Sequence, residues 1–211
     1  MPSLHDTVLV TGSSGAVGTR VCELLLQLGH RVVGYDQRPP EEFREGGAGE
    51  LIAVAGDVRD GAALTGVMRQ HAVTQVVHAA AILPAESTPL ADVIGVNVHG
   101  TAIVTEAAHD AGVGRLIFTS TKGVYDDFAG EHGHPRFEPI PEEHALIGLR
   151  NTHTLYNVAK LGGEYSVMKI ADLTGLSVVI LRFANMYGPK RGRHGTPCDR
   201  GRPGQGHGRR T

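Results

Sequence analysis

The sequence predicts an α/β fold, a doubly wound parallel sheet with helices on both faces. Three observations carry that expectation. Short apolar runs rich in Val, Ile and Leu alternate with segments of helical period, the pattern of βαβ units. Gly29, Gly112 and Gly175 stand where helical periods stop. A chain of 211 residues, 41% hydrophobic and 20% charged, has room for one α/β domain with a real core but not for two full-sized ones.

Taken in order, the first strand is Thr7–Thr11, followed by a glycine-rich turn and a helix over Ala16–Leu28. Strands at Arg31–Tyr35 and Leu51–Ala55 come next, then a helix at Asp60–Gln70 and a strand at Gln75–Ala79. A long helix, Ala91–Ala111, leads to a strand at Arg115–Ser120. The last pair is a helix at Leu155–Thr174 and a strand at Ser177–Arg182. Two stretches break the alternation. From Asp126 to about Thr154 there are three prolines and no sustained period, too long for a simple connection, so a substrate-facing loop is expected. In Lys190–Thr211, Gly, Arg and Pro dominate and Cys198 is the only residue of the apolar set, so this tail cannot bury enough surface to fold. Its abrupt change of composition after about His194 reads as a coding region in a shifted frame, with a basic tail for anionic partners as the competing reading. The expected organisation is a folded unit over residues 1–189 and a disordered tail over 190–211.

Charge and composition exclude several classes. The tail holds seven of the 20 Lys and Arg and one of the 22 Asp and Glu, so it carries +6 and the rest of the chain −8. An acidic body argues against nucleic-acid binding, which needs a basic face. No apolar run approaches bilayer-spanning length and the N-terminus lacks the order of a secretory signal, so no membrane association and a cytoplasmic location are expected. Cys22 and Cys198 form no CxxC, and the twelve histidines form no ligand spacing. His132 and His134 are read as surface residues, and no metal site is expected.

The first strand runs into Gly12-Ser13-Ser14-Gly15-Ala16-Val17-Gly18. Glycines at 12, 15 and 18 allow a tight turn, close approach to a pyrophosphate and packing of the helix on the sheet, with the helix N-terminus facing the anion. This marks a dinucleotide-binding turn of the Rossmann type. Asp36 lies at the distance where an acid accepts hydrogen bonds from the adenosine ribose, which favours NAD over NADP, although Arg38 offers a 2′-phosphate some compensation. The alternative is a solvated loop acid. Asp57 and Val58 are placed to bracket the adenine, with N-capping of the helix at Asp60 by Asp57 as the competing role.

Tyr156 and Lys160, four apart on a helix, share a face, and a cation there lowers the phenol pKa toward neutrality. Together with Thr121 they raise the reading from a nucleotide binder to an enzyme, with Tyr156 as acid/base.

The chain resembles the extended short-chain dehydrogenase/reductase family in its epimerase/dehydratase branch, across Val8–Pro189. The motifs are Thr11-Gly12-x-x-Gly15-x-x-Gly18, His78-Ala79-Ala80-Ala81, Asn97-Val98-His99-Gly100-Thr101, Thr119-Ser120-Thr121-Lys122-Gly123-Val124-Tyr125 and Leu181-Arg182-Phe183-Ala184-Asn185-Met186-Tyr187-Gly188-Pro189. The resemblance implies NAD bound by Gly12, Ser14, Gly15, Ala16, Val17, Gly18, Asp36, Asp57, Val58, Ala79, Ala80, Ala81, Asn97, Tyr156 and Lys160. It implies Thr121 as the hydroxyl that orients substrate and Tyr156, with Ser120 as the alternative and Asn185 also toward substrate. Lys160 would hold the nicotinamide ribose. Asn97 would support the active-site helix and its water, against the alternative of bonding its own helix backbone. Members that dehydrate or decarboxylate sugars carry an acid beside the catalytic threonine, where this chain has Lys122-Gly123.

The expected activity is NAD-dependent oxidoreduction at a secondary hydroxyl of a nucleotide sugar, leading to epimerisation through a keto intermediate. The alternatives are a dehydrogenase of sugar, uronate or steroid-like alcohols and a truncated, non-catalytic nucleotide binder, because family members continue into a smaller substrate domain. The resemblance also implies a homodimer formed through the helices at 91–111 and 155–174.

Overall fold

The structure, a computed structural model, describes residues 6–40, 47–126, 132, 136, 138–148 and 154–186. The tail from Lys190, the segment Tyr187-Gly188-Pro189 and His134 lie outside them.

Six strands form one parallel sheet in the order β3-β2-β1-β4-β5-β6. They are β1 (Thr7–Thr11), β2 (Arg31–Asp36), β3 (Leu51–Ala55), β4 (Gln75–His78), β5 (Arg115–Thr121) and β6 (Ser177–Phe183). All five residues of β1 are buried, as a central strand covered on both faces requires. Leu9 sits in register with Val33 and Val76, and Val76 with Leu116, so these side chains share a face. There they meet α2 (Gly61–Gln70), α4 (Thr101–Asp110) and α5 (Leu155–Thr174) through Leu64, Met68, Val104, Ala108 and Val167. Each of these larger aliphatic side chains contributes about 2 kcal/mol on burial. On the opposite face Val8, Val10, Val32 and Val77 pack on Cys22 and Leu26 of α1 (Ala16–Gln27). Among the described residues, no helix is long and apolar enough to cross a membrane.

Local signals set the helix ends. Asp60 caps α2, its Oδ1 accepting from the Ala63 N–H at 3.0 Å, so the capping role considered for Asp57 belongs to Asp60. Thr154 caps α5 by accepting from the Asn157 N–H at 3.2 Å, and Gly175 ends it at φ 76°, a left-handed conformation. The helix expected over Ala91–Ala111 is three pieces: α3 (Leu90–Ile94), a π-helical turn (Gly95–Gly100) and α4. The wide turn arises where the Asn97 side chain bonds a neighbouring segment and where Gly100 lets Val58 approach; a Cβ on Gly100 would lie 2.8 Å from Val58 Cγ2. Strands β5 and β6 each run one residue further than expected because Thr121 pairs with Phe183.

Candidate active site

With β2 on one side of β1 and β4 on the other, the chain reverses direction across the sheet at β1, and the carboxyl ends of β1 and β4 open a crevice. The glycine turn fills this position. Gly12 has φ +70°, and a Cβ there would lie 2.7 Å from the Ala80 backbone. A Cβ on Gly18 would lie 2.1 Å from the Gly12 carbonyl oxygen, so α1 reaches the turn only without a side chain. Gly15 is the N-cap of α1 and no side chain caps it, which leaves the first N–H groups of the helix facing the crevice. Ser14, Gly15 and Ala16 are exposed there and Val17 is half-buried. Across the crevice, Ala79 and Ala80 are bonded to Thr11 and Ala81 is exposed, a wall with no side chain beyond Cβ.

Asp36, at the end of β2, accepts from the Ser14 N–H at 3.2 Å and the Arg38 N–H at 3.0 Å, while the Ser14 hydroxyl donates to the Arg38 carbonyl. Asp36 is therefore part of the turn's frame rather than a loop acid in solvent. Its two oxygens retain lone pairs for further donors. Asp57 accepts from Arg59 through its N–H, Nε and Nη2 at 2.8, 3.0 and 2.7 Å, and from Gln37 Nε2 at 3.1 Å. The guanidinium holds this carboxyl down at about 2. Arg59 also reaches Asp92 at 3.3 Å. Sequence reasoning passed over Arg59 and Gln37, although an Arg two residues after an acid was a visible signal. Val58 is buried in the core.

The second half of the site stands where β5 and α5 meet. The Thr119 hydroxyl donates to the His78 carbonyl at 3.1 Å, and Ser120 Oγ is buried with no hydrogen-bond partner among the described residues. Thr121 Oγ1 accepts from the Gly123 N–H at 3.1 Å, capping a 3₁₀ turn (Lys122–Val124) and keeping its own proton to donate. A Cβ on Gly123 would lie 2.5 Å from Asn157 Oδ1, so this turn seats on the first turn of α5, bringing the elements of Thr121 and Tyr156 together.

Here the electrostatics differ from expectation. Lys160 is 1% exposed, and its Nζ lies 4.0 Å from the centre of the Phe118 ring. Burial lowers Lys160 to about 7, against the opposing pull of the Glu164 charge. Tyr156 is half-buried and burial pushes its phenol above its ordinary value; the lowering expected from a neighbouring cation is absent. The i, i+4 spacing correctly put both residues on one helix face. That face is turned into the protein, however, and the long lysine stem carries its charge into the core.

A further charged pair, one member buried and the other partly covered, stands beside it. Glu164, 1% exposed, receives Arg182 through Nε at 3.1 and 3.2 Å and Nη2 at 2.8 Å, and the Arg182 guanidinium lies 4.7 Å over the Tyr125 ring. Sequence reasoning missed this pair; an Arg within an apolar strand was its signal. Asn97 Oδ1 accepts from the Ile82 N–H at 3.0 Å and Nδ2 donates to the Ile82 carbonyl at 2.8 Å. It thus pins the segment after β4 instead of bonding its own helix with its side chain.

A cavity of about 690 Å³ opens at the carboxyl ends of β5 and β6, lined by Lys122, Tyr125, Glu142, Arg182, Phe183 and Ala184 among others. Neither the glycine turn nor Tyr156 lines it. The described part of the loop expected to face substrate folds back along it: the Asp126 N–H donates to Ala145 and the Ile147 N–H to Val124. His132 is half-buried against the His144 ring, 4.7 Å between centres, rather than a free surface residue. Asn185 is exposed just past β6. Among the described residues, no group of three or more His, Cys, Asp or Glu is placed to hold a metal ion.

Residues 8–200 match the NAD-dependent epimerase/dehydratase family model, so the match extends into the tail. A UDP-glucose 4-epimerase of Mycolicibacterium smegmatis is 30% identical over 194 residues, 89% of this chain and 58% of the relative. The structure of UDP-glucose 4-epimerase from Brucella ovis in complex with NAD superposes with a TM-score of 0.70 at 28% identity, covering 85% of this chain and 52% of that one. The Bordetella bronchiseptica enzyme WbmG in complex with NAD and UDP gives 0.68 at 30%, covering 88% and 55%. The chain thus spans about half the length of these proteins. It belongs to the NAD-dependent epimerase/dehydratase family.

Proposed function

We propose that the chain binds NAD at the glycine turn and serves oxidoreduction at a secondary hydroxyl of a nucleotide sugar, completed as an epimerisation through a keto intermediate. The observation that carries the reading is the shared edge: the glycine turn ends β1 and Thr121 ends β5, at the same carboxyl edge of the parallel sheet. The residues present fit a dinucleotide. Gly12, Gly15 and Gly18 let the turn pack backbone against backbone, the α1 N-terminus faces the pyrophosphate position, and the Asp36 carboxylate would accept ribose hydroxyls while repelling a 2′-phosphate, favouring NAD over NADP.

Bound NAD supplies the hydride acceptor. Thr121 donates its free hydroxyl proton toward substrate. Tyr156 exchanges the proton of the sugar hydroxyl at its Oη. Because burial raises its pKa, the resting phenol is protonated, ready to protonate a ketone, whereas alcohol oxidation needs its ionised form and should speed up as pH rises. Lys160 would hold the nicotinamide ribose, and Asn97 orders the segment after the Ala79–Ala81 wall through Ile82. Ser120, whose buried hydroxyl has no hydrogen-bond partner among the described residues, and Asn185, exposed beyond β6, would supply polar contacts to substrate.

The test incubates the chain with NAD and UDP-glucose and follows the sugar anomeric protons by NMR, with Y156F as control. The 4-epimer should appear, and its rate should fall by about 100-fold or more in Y156F. Net NADH with a candidate alcohol would replace the epimerase reading with a dehydrogenase. NAD binding without turnover would leave a nucleotide-binding unit.

A further inference from the structure

His78, at the end of β4, is fully buried between the glycine turn and the π-helical turn, and the reaction proposed above gives it no task. Its two ring nitrogens are both bonded: Nδ1 lies 2.7 Å from Thr11 Oγ1 and Nε2 lies 3.0 Å from Thr101 Oγ1. The direction of these bonds follows from their ends. Thr101 Oγ1 also lies 2.9 Å from the Asn97 carbonyl, which only accepts, so the single hydroxyl proton of Thr101 is committed there. Nε2 must then be the donor to Thr101. In a neutral imidazole Nδ1 is left as acceptor, so Thr11 donates to it and its oxygen accepts from the Ala80 N–H at 3.3 Å.

The ring has reason to stay neutral. It stacks on Phe118, 5.5 Å between centres, and the Lys160 ammonium rests on that same Phe118 ring. Burial and that neighbouring positive charge press the imidazole down to about 3.

One directed chain therefore runs from the Ala80 N–H through Thr11, His78 and Thr101 to the Asn97 carbonyl. At its far end α5 takes over, since a Cβ on Gly163 would lie 2.8 Å from the Asn97 oxygen. At its near end Thr11 and Ala80 border Gly12. We infer that His78 is a positioning residue: fixed as the Nε2–H tautomer, it ties the dinucleotide turn to the turn against which the Tyr156 and Lys160 helix is seated. The part of this inference that concerns cofactor affinity rests on the proposed NAD site; the tautomer does not.

The test has two arms. A long-range ¹H–¹⁵N spectrum of the full chain without cofactor should show His78 as the Nε2–H tautomer, unchanged between about pH 5 and 9. An Nδ1–H tautomer, or titration within that range, would overturn the inference. In the second arm NAD affinity is measured for H78N, whose amide oxygen stands near the Nδ1 position, and for H78Q, whose amide reaches the Nε2 position. H78N keeps the bond to the glycine turn and should bind within about twofold of the parent, whereas H78Q loses it and should bind about tenfold more weakly. A merely space-filling role would lower the stability of both and leave their affinities alike, and that result would also overturn the inference. If the parent chain bound no NAD, the nucleotide reading would fall and the spectrum alone would still decide the tautomer.

Discussion

At the glycine turn the structure depends on side chains that are absent, whereas between α5, β5 and β6 it depends on charged side chains taken out of water. On the first side, backbone meets backbone at Gly12, Gly18 and Ala80, and the acid Asp36 is braced by main-chain N–H groups. On the second, Lys160 and Glu164 are nearly inaccessible and Arg182 largely covered. The difference teaches that the two walls of the crevice carry their energetic burden differently. Steric fit is insensitive to pH and intolerant of added atoms, while buried charge depends on keeping its partner and responds to protonation.

The largest expected effect tests the steric wall. G18A places a methyl 2.1 Å from the Gly12 oxygen and should destabilise the chain by about 3 kcal/mol in urea unfolding, with NAD binding lost. A stable, NAD-binding G18A would erase the contrast. On the ionic wall, E164Q leaves Arg182 facing a neutral amide; removing one partner of a buried pair costs about 3 kcal/mol, reduced to about 2 because Arg182 keeps some solvent contact. It also removes the charge that holds the Lys160 pKa up, so that pKa should fall further below about 7, which NMR of the lysine side chain can follow.

K160M should act in the opposite direction. The folded chain holds Lys160 at about 7 and the unfolded chain near its ordinary 10.5, so between those values the unfolded state binds more protons and the stability of the parent rises with pH. At pH 7 and below the buried ammonium opposes folding, and K160M should be more stable by about 1.5 kcal/mol, a gain that shrinks toward pH 10.5, while NAD affinity and turnover fall. Denaturation curves at several pH values check both signs. The smallest effect is the control: D60A removes the α2 cap but keeps the main-chain bond to Asp57, and should cost about 1 kcal/mol with NAD affinity unchanged.

The six strands and the glycine turn were legible because burial on both faces leaves unbroken Val, Ile and Leu runs, and because a missing Cβ is written directly in the sequence. The division of the helix expected over Ala91–Ala111 was not, since a π-helical turn adds one residue without erasing the apolar period. Its cause, the bond from Asn97 to Ile82, spans 15 residues of sequence. The burial of Lys160 was not legible, because helical spacing fixes which residues share a face and says nothing about what that face meets. The Glu164 and Arg182 pair joins two elements 18 residues apart, beyond the reach of any local pattern.

Among the described residues, strand β6 has a neighbour on one side only, and its exposed residues include Val179 and Leu181. Among the described residues no strand pairs with the outer edge of these seven residues, which lies beside apolar side chains. An uncovered edge of this kind is a template for intermolecular pairing, so a free β6 would lower the chain's solubility at high concentration. A lysine at Val179 would act as a gatekeeper against such aggregation while leaving the glycine turn at the end of β1 untouched.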